Sequence, residues 1–170
     1  MRAFISIDIP DNIKKEILNI QNKLPEFNGK KTETENLHLT LKFLEWIDGT
    51  KLEDVKERLN KIKIKKFETE INSIGMFSDR IIWLNMKNCG QLQKQVDEKL
   101  SNLFEKEERF MGHLTIARVK DLGNRKKFIE KLKEIKIKPI KFEVDNFRLK
   151  KSILKRNGPV YEDLEIYNLK

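Results

Sequence analysis

His38-Leu39-Thr40-Leu41, set inside the alternating segment Leu37 to Leu44, returns as His113-Leu114-Thr115-Ile116 at the head of the segment Leu114 to Val119. Side chains of a strand alternate between two faces. His38 and Thr40 therefore share one face while Leu37, Leu39 and Leu41 take the other, and His113 and Thr115 repeat this against Leu114 and Ile116. The leucines anchor, and the His-Thr faces are free. Each copy is followed by a helical pattern, which points to two related halves that place equivalent strands opposite each other.

The rest of the chain fits that frame. Arg2 to Ile9 alternates, with Ala3, Ile5, Ile7 and Ile9 on one face and Phe4, Ser6 and Asp8 on the other, and Pro10 ends the strand. Ile13, Ile17, Ile20 and Leu24 follow at helical spacing until Pro25, and Glu26 to Glu35 reads as a polar loop. Leu52, Val55, Leu59 and Ile62 mark a second helix. Phe67 to Ile74 and Ile81 to Asn85 read as a hairpin around Gly75 to Arg80. Leu92, Val96, Leu100 and Leu103 mark a third helix, and Phe128, Leu132 and Ile135 a fourth. Ile140 to Leu154 and Val160 to Leu169 close the chain as strands around Asn157-Gly158-Pro159. The expected class is α+β, with residues 1–170 as one bilobal domain.

Composition narrows the function classes. At 170 residues, with 38% apolar and 37% charged residues, the chain can bury a core. No stretch approaches the ~20 apolar residues of a membrane-spanning helix, and Met1 to Ser6 lacks the apolar block of a secretion signal, so a cytoplasmic protein is expected. The single cysteine, Cys89, has no partner for a disulfide or a metal knuckle and reads as a small filler. Lys and Arg number 36 against 27 Asp and Glu, a net charge of +9. This favours polyanionic partners, nucleic acid first, or equally a heat-adapted surface of mixed ion pairs.

The chain contains only two histidines, and both sit in the repeated element. Two imidazoles and two hydroxyls suit in-line displacement at phosphorus. One imidazole accepts a proton from the attacking water while the other, charged, donates one to the departing oxygen, each contributing ~10²- to 10⁴-fold. An unperturbed pKa of ~6.5 lets both forms coexist near neutrality. Thr40 and Thr115 can donate hydrogen bonds to non-bridging phosphate oxygens. Two histidines without paired Cys or Asp/Glu fall short of a metal shell, so no metal is expected.

The flanks match as well. Arg2 to Pro10, Asn36 to Leu44, Arg109 to Val119, and the tail elements Ser152-Ile153-Leu154 and Gly158-Pro159-Val160-Tyr161 together resemble the two-histidine phosphoesterase superfamily. Within it, the chain is most similar to the RNA 2',3'-cyclic phosphodiesterases formerly called 2'-5' RNA ligases. The resemblance implies a bilobal fold of two antiparallel sheets facing a central cleft, with helices outside. It also implies cofactor-free opening of an RNA-terminal 2',3'-cyclic phosphate to a 2'-phosphate. His38 then matches the donor to the leaving 3'-oxygen, His113 the acceptor that activates water, and Thr40 and Thr115 the phosphate-binding hydroxyls. Relatives often carry proline before the second histidine, where this chain has Gly112.

Four further residues are candidates. Lys42 shares parity with His38 and Thr40, so ideal alternation aims its ammonium into the cleft as a phosphate ligand or leaves it in solvent. Arg118 has the opposite parity from His113; the family match makes it a phosphate ligand, which requires a bulge or twist after Thr115. Phe4 and Tyr161 either stack on a base or pack in the core. The clusters Lys61 to Lys66 and Lys150, Lys151, Lys155 and Arg156 steer RNA or are simply solvated. The expected partner is RNA with a cyclic phosphate end, acted on by a monomer. The alternatives are reverse 2'-5' ligation and a non-catalytic RNA-end clamp.

Overall fold

Leu39 and Leu114, the apolar residues that follow each histidine, pair with each other across two antiparallel strands. In the computed structural model, which describes residues 1–170, this single register pair joins two four-stranded halves. The first half runs β10 (Gly158–Asn168), β9 (Asn146–Lys155), β1 (Arg2–Asp8), β3 (His38–Trp46). In the second, β7 (His113–Asp121) lies between β2 (Asn28–Lys31) and β6 (Ile81–Asn85), and β5 (Ile74–Phe77) is the far edge. All these pairings are antiparallel. Because β3 and β7 touch at one pair only, the halves splay away from it and a cleft opens between them.

The helices hold the halves together. Pro10 stops β1 and leads α1 (Asp11–Asn22), which buries Ile13, Ile17 and Ile20. Gln21, also buried, reaches into the second half: its Nε2 donates to the carbonyls of Thr32 and Ile116 at 2.9 Å each. Helix α2 (Gly49–Leu59) starts at Asp48, whose carboxylate accepts from the Lys51 N–H at 2.8 Å. Helix α3 (Gly90–Lys99) belongs to the second half in sequence but packs on β3. Helix α4 (Arg125–Glu134) is capped by Asn124 and buries Phe128 and Leu132. One apolar cluster runs through both halves and includes Ile5, Leu39, Leu41, Leu114 and Ile116. Each such side chain, fully buried, contributes ~1.5–3 kcal/mol.

Two expectations need correction. Glu26 to Glu35 is not wholly loop: Asn28–Lys31 forms β2, held to β7 through its backbone. All four of its residues are exposed, so it leaves no apolar alternation to read. Phe67 to Ile74 is not one strand either. It breaks at Asn72-Ser73, whose N–H groups both donate to the Asn85 side-chain oxygen (2.8 and 2.9 Å). Upstream, β4 (Phe67–Ile71) leaves to pair with β8 (Ile140–Val144) in a separate ribbon. Downstream, β5 forms the hairpin with β6, turning at Ser78 and Asp79, both at positive φ (48° and 57°).

Candidate active site

The two histidine strands share more than a tetrapeptide. Where β3 pairs with β1, the register steps from Ser6↔Thr40 to Ile5↔Lys42, leaving Leu41 as an extra residue. Where β7 pairs with β6, it steps from Trp83↔Thr115 to Ile82↔Ala117, leaving Ile116 extra. A bulge at the same offset from each histidine turns every later side chain to the other face. Burial accordingly follows the same order, residue for residue, along His38–Trp46 and His113–Asp121.

Arg118 therefore comes round to the cleft, as its expected role requires. Lys42 also borders the cavity, but its ammonium is turned to the helix side and held there. It is 8% exposed, and its ammonium donates to Asp97 of α3 at 2.5 Å and to the Glu105 carbonyl at 2.6 Å. The counterpart of Arg118 in the first half is Phe43, which stands on the cleft and is 65% exposed.

Both imidazoles are oriented alike. His38 Nδ1 lies 2.7 Å from the Asn36 carbonyl and His113 Nδ1 lies 2.8 Å from the Met111 carbonyl. A carbonyl only accepts, so each Nδ1 carries the proton and each Nε2 is left for chemistry. His38 Nε2 is 3.0 Å from Thr40 Oγ1. Both histidines line one cavity of about 580 Å³, together with Thr40, Thr115, Arg118 and Tyr161. They are diagonal neighbours across the Leu39–Leu114 pair.

Rings pack around the imidazoles. Phe4 and Tyr161 lie 5.1 and 5.2 Å from the His38 ring, and Phe77 lies edge-on at 5.2 Å from His113. Phe4 is 4% exposed and serves as the floor beneath His38, the packed one of its two expected places. Tyr161 lines the cavity. Burial pushes the His38 pKa below its usual 6.5; the Asn36 carbonyl and Asp8 oppose that shift, while Lys150 and Arg118 reinforce it. Burial also raises the Tyr161 phenol. Behind His38, Asp8 takes ion pairs from Lys150 (2.7 Å) and Arg148 (3.5 Å), and Asp163 takes another from each. Lys150 is thus committed to carboxylates. No group of three or more His, Cys, Asp or Glu side chains is placed to hold a metal ion.

Gly112 has a local reason. A Cβ there would lie 2.4 Å from the Met86 carbonyl oxygen, in a backbone that Met86 N–H and Gly112 C=O hold together at 2.9 Å. Proline carries that Cβ, so this backbone excludes it. Besides Phe43, the sequence reading passed over Phe77, Lys30 and Arg109 on the cavity wall. The two rings follow from strand pairing, whereas Lys30 sits on the edge strand that has no sequence signature.

The LigT like Phosphoesterase family matches the chain twice, over residues 7–83 and again over 85–161, one match around each histidine. The chain belongs to the LigT-like phosphoesterase family. The RNA 2',3'-cyclic phosphodiesterase of Methanocaldococcus jannaschii is 43% identical over 173 residues, spanning 95% of this chain and 97% of that protein. That of Archaeoglobus fulgidus is 35% identical, spanning 98% and 99%. Among solved structures, TT0787 of Thermus thermophilus superposes with a TM-score of 0.83 at 24% identity, covering 99% and 98% of the two chains. Escherichia coli LigT complexed with 3'-AMP gives 0.81 at 24%, with the same coverage. These superpositions show that the α+β fold, with its antiparallel sheets and four helices, is that of LigT-like phosphoesterases.

Proposed function

We propose that this LigT-like phosphoesterase hydrolyses the 2',3'-cyclic phosphate at an RNA end to a 2'-phosphate, with His38 as proton donor and His113 as proton acceptor. The observation that carries the proposal is the matched pair of imidazoles. Both are fixed through Nδ1 to a carbonyl two residues earlier, with both Nε2 atoms left toward one cavity. The activity named for the relatives at 43% and 35% identity supports it.

In this reaction a water oxygen attacks phosphorus as His113 Nε2 takes its proton. The bond from phosphorus to the 3'-oxygen breaks, and that oxygen receives the proton of His38 Nε2. Thr40 and Thr115 hydroxyls and the Arg118 guanidinium hold the non-bridging oxygens, a role for which arginine's fork suits phosphate. Burial disfavours the charged form of His38 in the free protein. As donor it must therefore bind its proton alongside the anionic diester, whose charge favours the imidazolium. The same burial supports a second reading, with His38 as acceptor and His113 as donor.

Phosphorus NMR of the product from a cyclic-phosphate-ended oligonucleotide, with chelator present, tests the proposal. A 2'-phosphomonoester formed at the same rate with and without chelator is expected. A 3'-phosphate, or loss of turnover on chelation, contradicts it.

A further inference from the structure

The cleft face of the first half continues past the imidazole. Cross-strand partners share a face of a sheet, and the register sets Phe43 opposite Phe4 and Trp46 opposite Arg2. Arg2 in turn faces Ser152, which faces Tyr161 on the cleft. Trp46, Arg2, Ser152 and Tyr161 thus form one row across the sheet, and Phe43 and Phe4 begin the row beside it. Phe4 and Arg2 are two residues apart on β1, which spaces the rows by about 7 Å.

Simple alternation would put Phe43 and Trp46 on opposite faces. They share one because β3 carries a second extra residue, Leu44, and Glu45 takes the left-handed conformation at φ 57°. Residues with a Cβ adopt that conformation at a cost, and here it aims an indole along the cleft face. Trp46 is 73% exposed and Phe43 65%. Single exposed rings are ordinary. Phe43 extends the series His38, Phe4, Phe43, with centroid spacings of 5.1 and 6.4 Å, and the register sets Trp46 one row further along the same face.

We infer that Phe43 and Trp46 are a stacking subsite for the RNA base on the 5' side of the cyclic-phosphate nucleotide, an inference that rests on the reading under Proposed function. A cyclic phosphate occupies both the 2'- and 3'-oxygens of the last sugar, so bound RNA continues only in the 5' direction. Stacking on an aromatic ring tolerates any base. Arg2, across from Trp46, offers a cation to the intervening phosphate; its pairing with Glu45 is exposed and 3.7 Å long, and such pairs are readily exchanged. Trp46 makes this protein select for chain length rather than for base identity.

The test compares kcat/KM for the unmodified protein, Trp46→Ala and Trp46→Phe on a 2',3'-cyclic mononucleotide and on a trinucleotide ending in the same cyclic nucleotide. Trp46→Ala is expected to lose about tenfold more on the trinucleotide, ~1.4 kcal/mol and within reach of one stack; Trp46→Phe should recover most of it. Equal losses on both substrates, or none, overturn the subsite. Absence of turnover on both by the unmodified protein contradicts the hydrolase reading instead. Fluorescence then decides the subsite: a trinucleotide ending in 2'-phosphate quenches Trp46 and the mononucleotide does not, whereas equal quenching or none overturns it.

Discussion

The imidazole of His38 sits among groups that pull its proton affinity both ways. Burial, Lys150 and Arg118 lower it, and the Asn36 carbonyl and Asp8 raise it, with a net shift below 6.5. As the proposed donor His38 must be protonated, so its share of active enzyme is expected to fall as pH rises through that lowered pKa and to set the alkaline limb of kcat/KM. Lys150→Met removes one cation that depresses the pKa, so the alkaline limb is expected to move to higher pH; Asp8→Asn should move it lower. Movement of the acidic limb instead would make His38 the acceptor. At this scale the sequence marks the two histidines and two threonines that line the cavity, and Arg118 lines it with them because a bulge follows Thr115. Ideal alternation does not foresee that the Lys42 ammonium is engaged by Asp97 and the Glu105 carbonyl, because alternation holds only in an unbroken ladder. Carrying the same bulge to the first copy puts Phe43 in the cleft and sends Lys42 to the helix side.

At the scale of elements, that buried lysine fastens β3 of one half to α3 and the following loop of the other. Asp97 takes Lys42 through one oxygen and the Glu107 N–H through the other at 2.7 Å, and Lys42 also donates to the Glu105 carbonyl. Both side chains are nearly inaccessible, at 7% and 5%. Removing one partner of such a pair leaves an uncompensated buried charge, at a cost of ~3–5 kcal/mol, while replacing both with apolar groups is often neutral. Lys42→Met is therefore expected to lower stability to urea by about that amount, and Lys42→Met with Asp97→Leu to recover most of it. A single variant as stable as the parent protein would contradict the latch. The four helices and the histidine strands were readable because each buries a periodic apolar face. Strand β2 was not, because it buries nothing, and the break between β4 and β5 was hidden because the Asn85 side chain makes it.

Over the whole molecule, two matches to one family, two bulges at equal offsets and two imidazoles fixed alike describe a repeated histidine-strand element whose two copies meet at the Leu39–Leu114 pair. The tetrapeptide echo announced that relation. The crossing of the helices, α1 to β7 and α3 to β3, was not in the echo, since packing partners far apart in the chain leave no local periodicity. In the proposed reaction each half of the sheet supplies one histidine, so neither half would hold the chemistry alone. The decisive measurement is turnover of a cyclic-phosphate-ended oligonucleotide by His38→Ala, His113→Ala and the double variant. If one phosphorus is worked from both sides, each single variant loses at least ~10²-fold and the double loses little more than either. A single variant that keeps the parent rate, or losses that multiply in the double, would contradict a shared transition state.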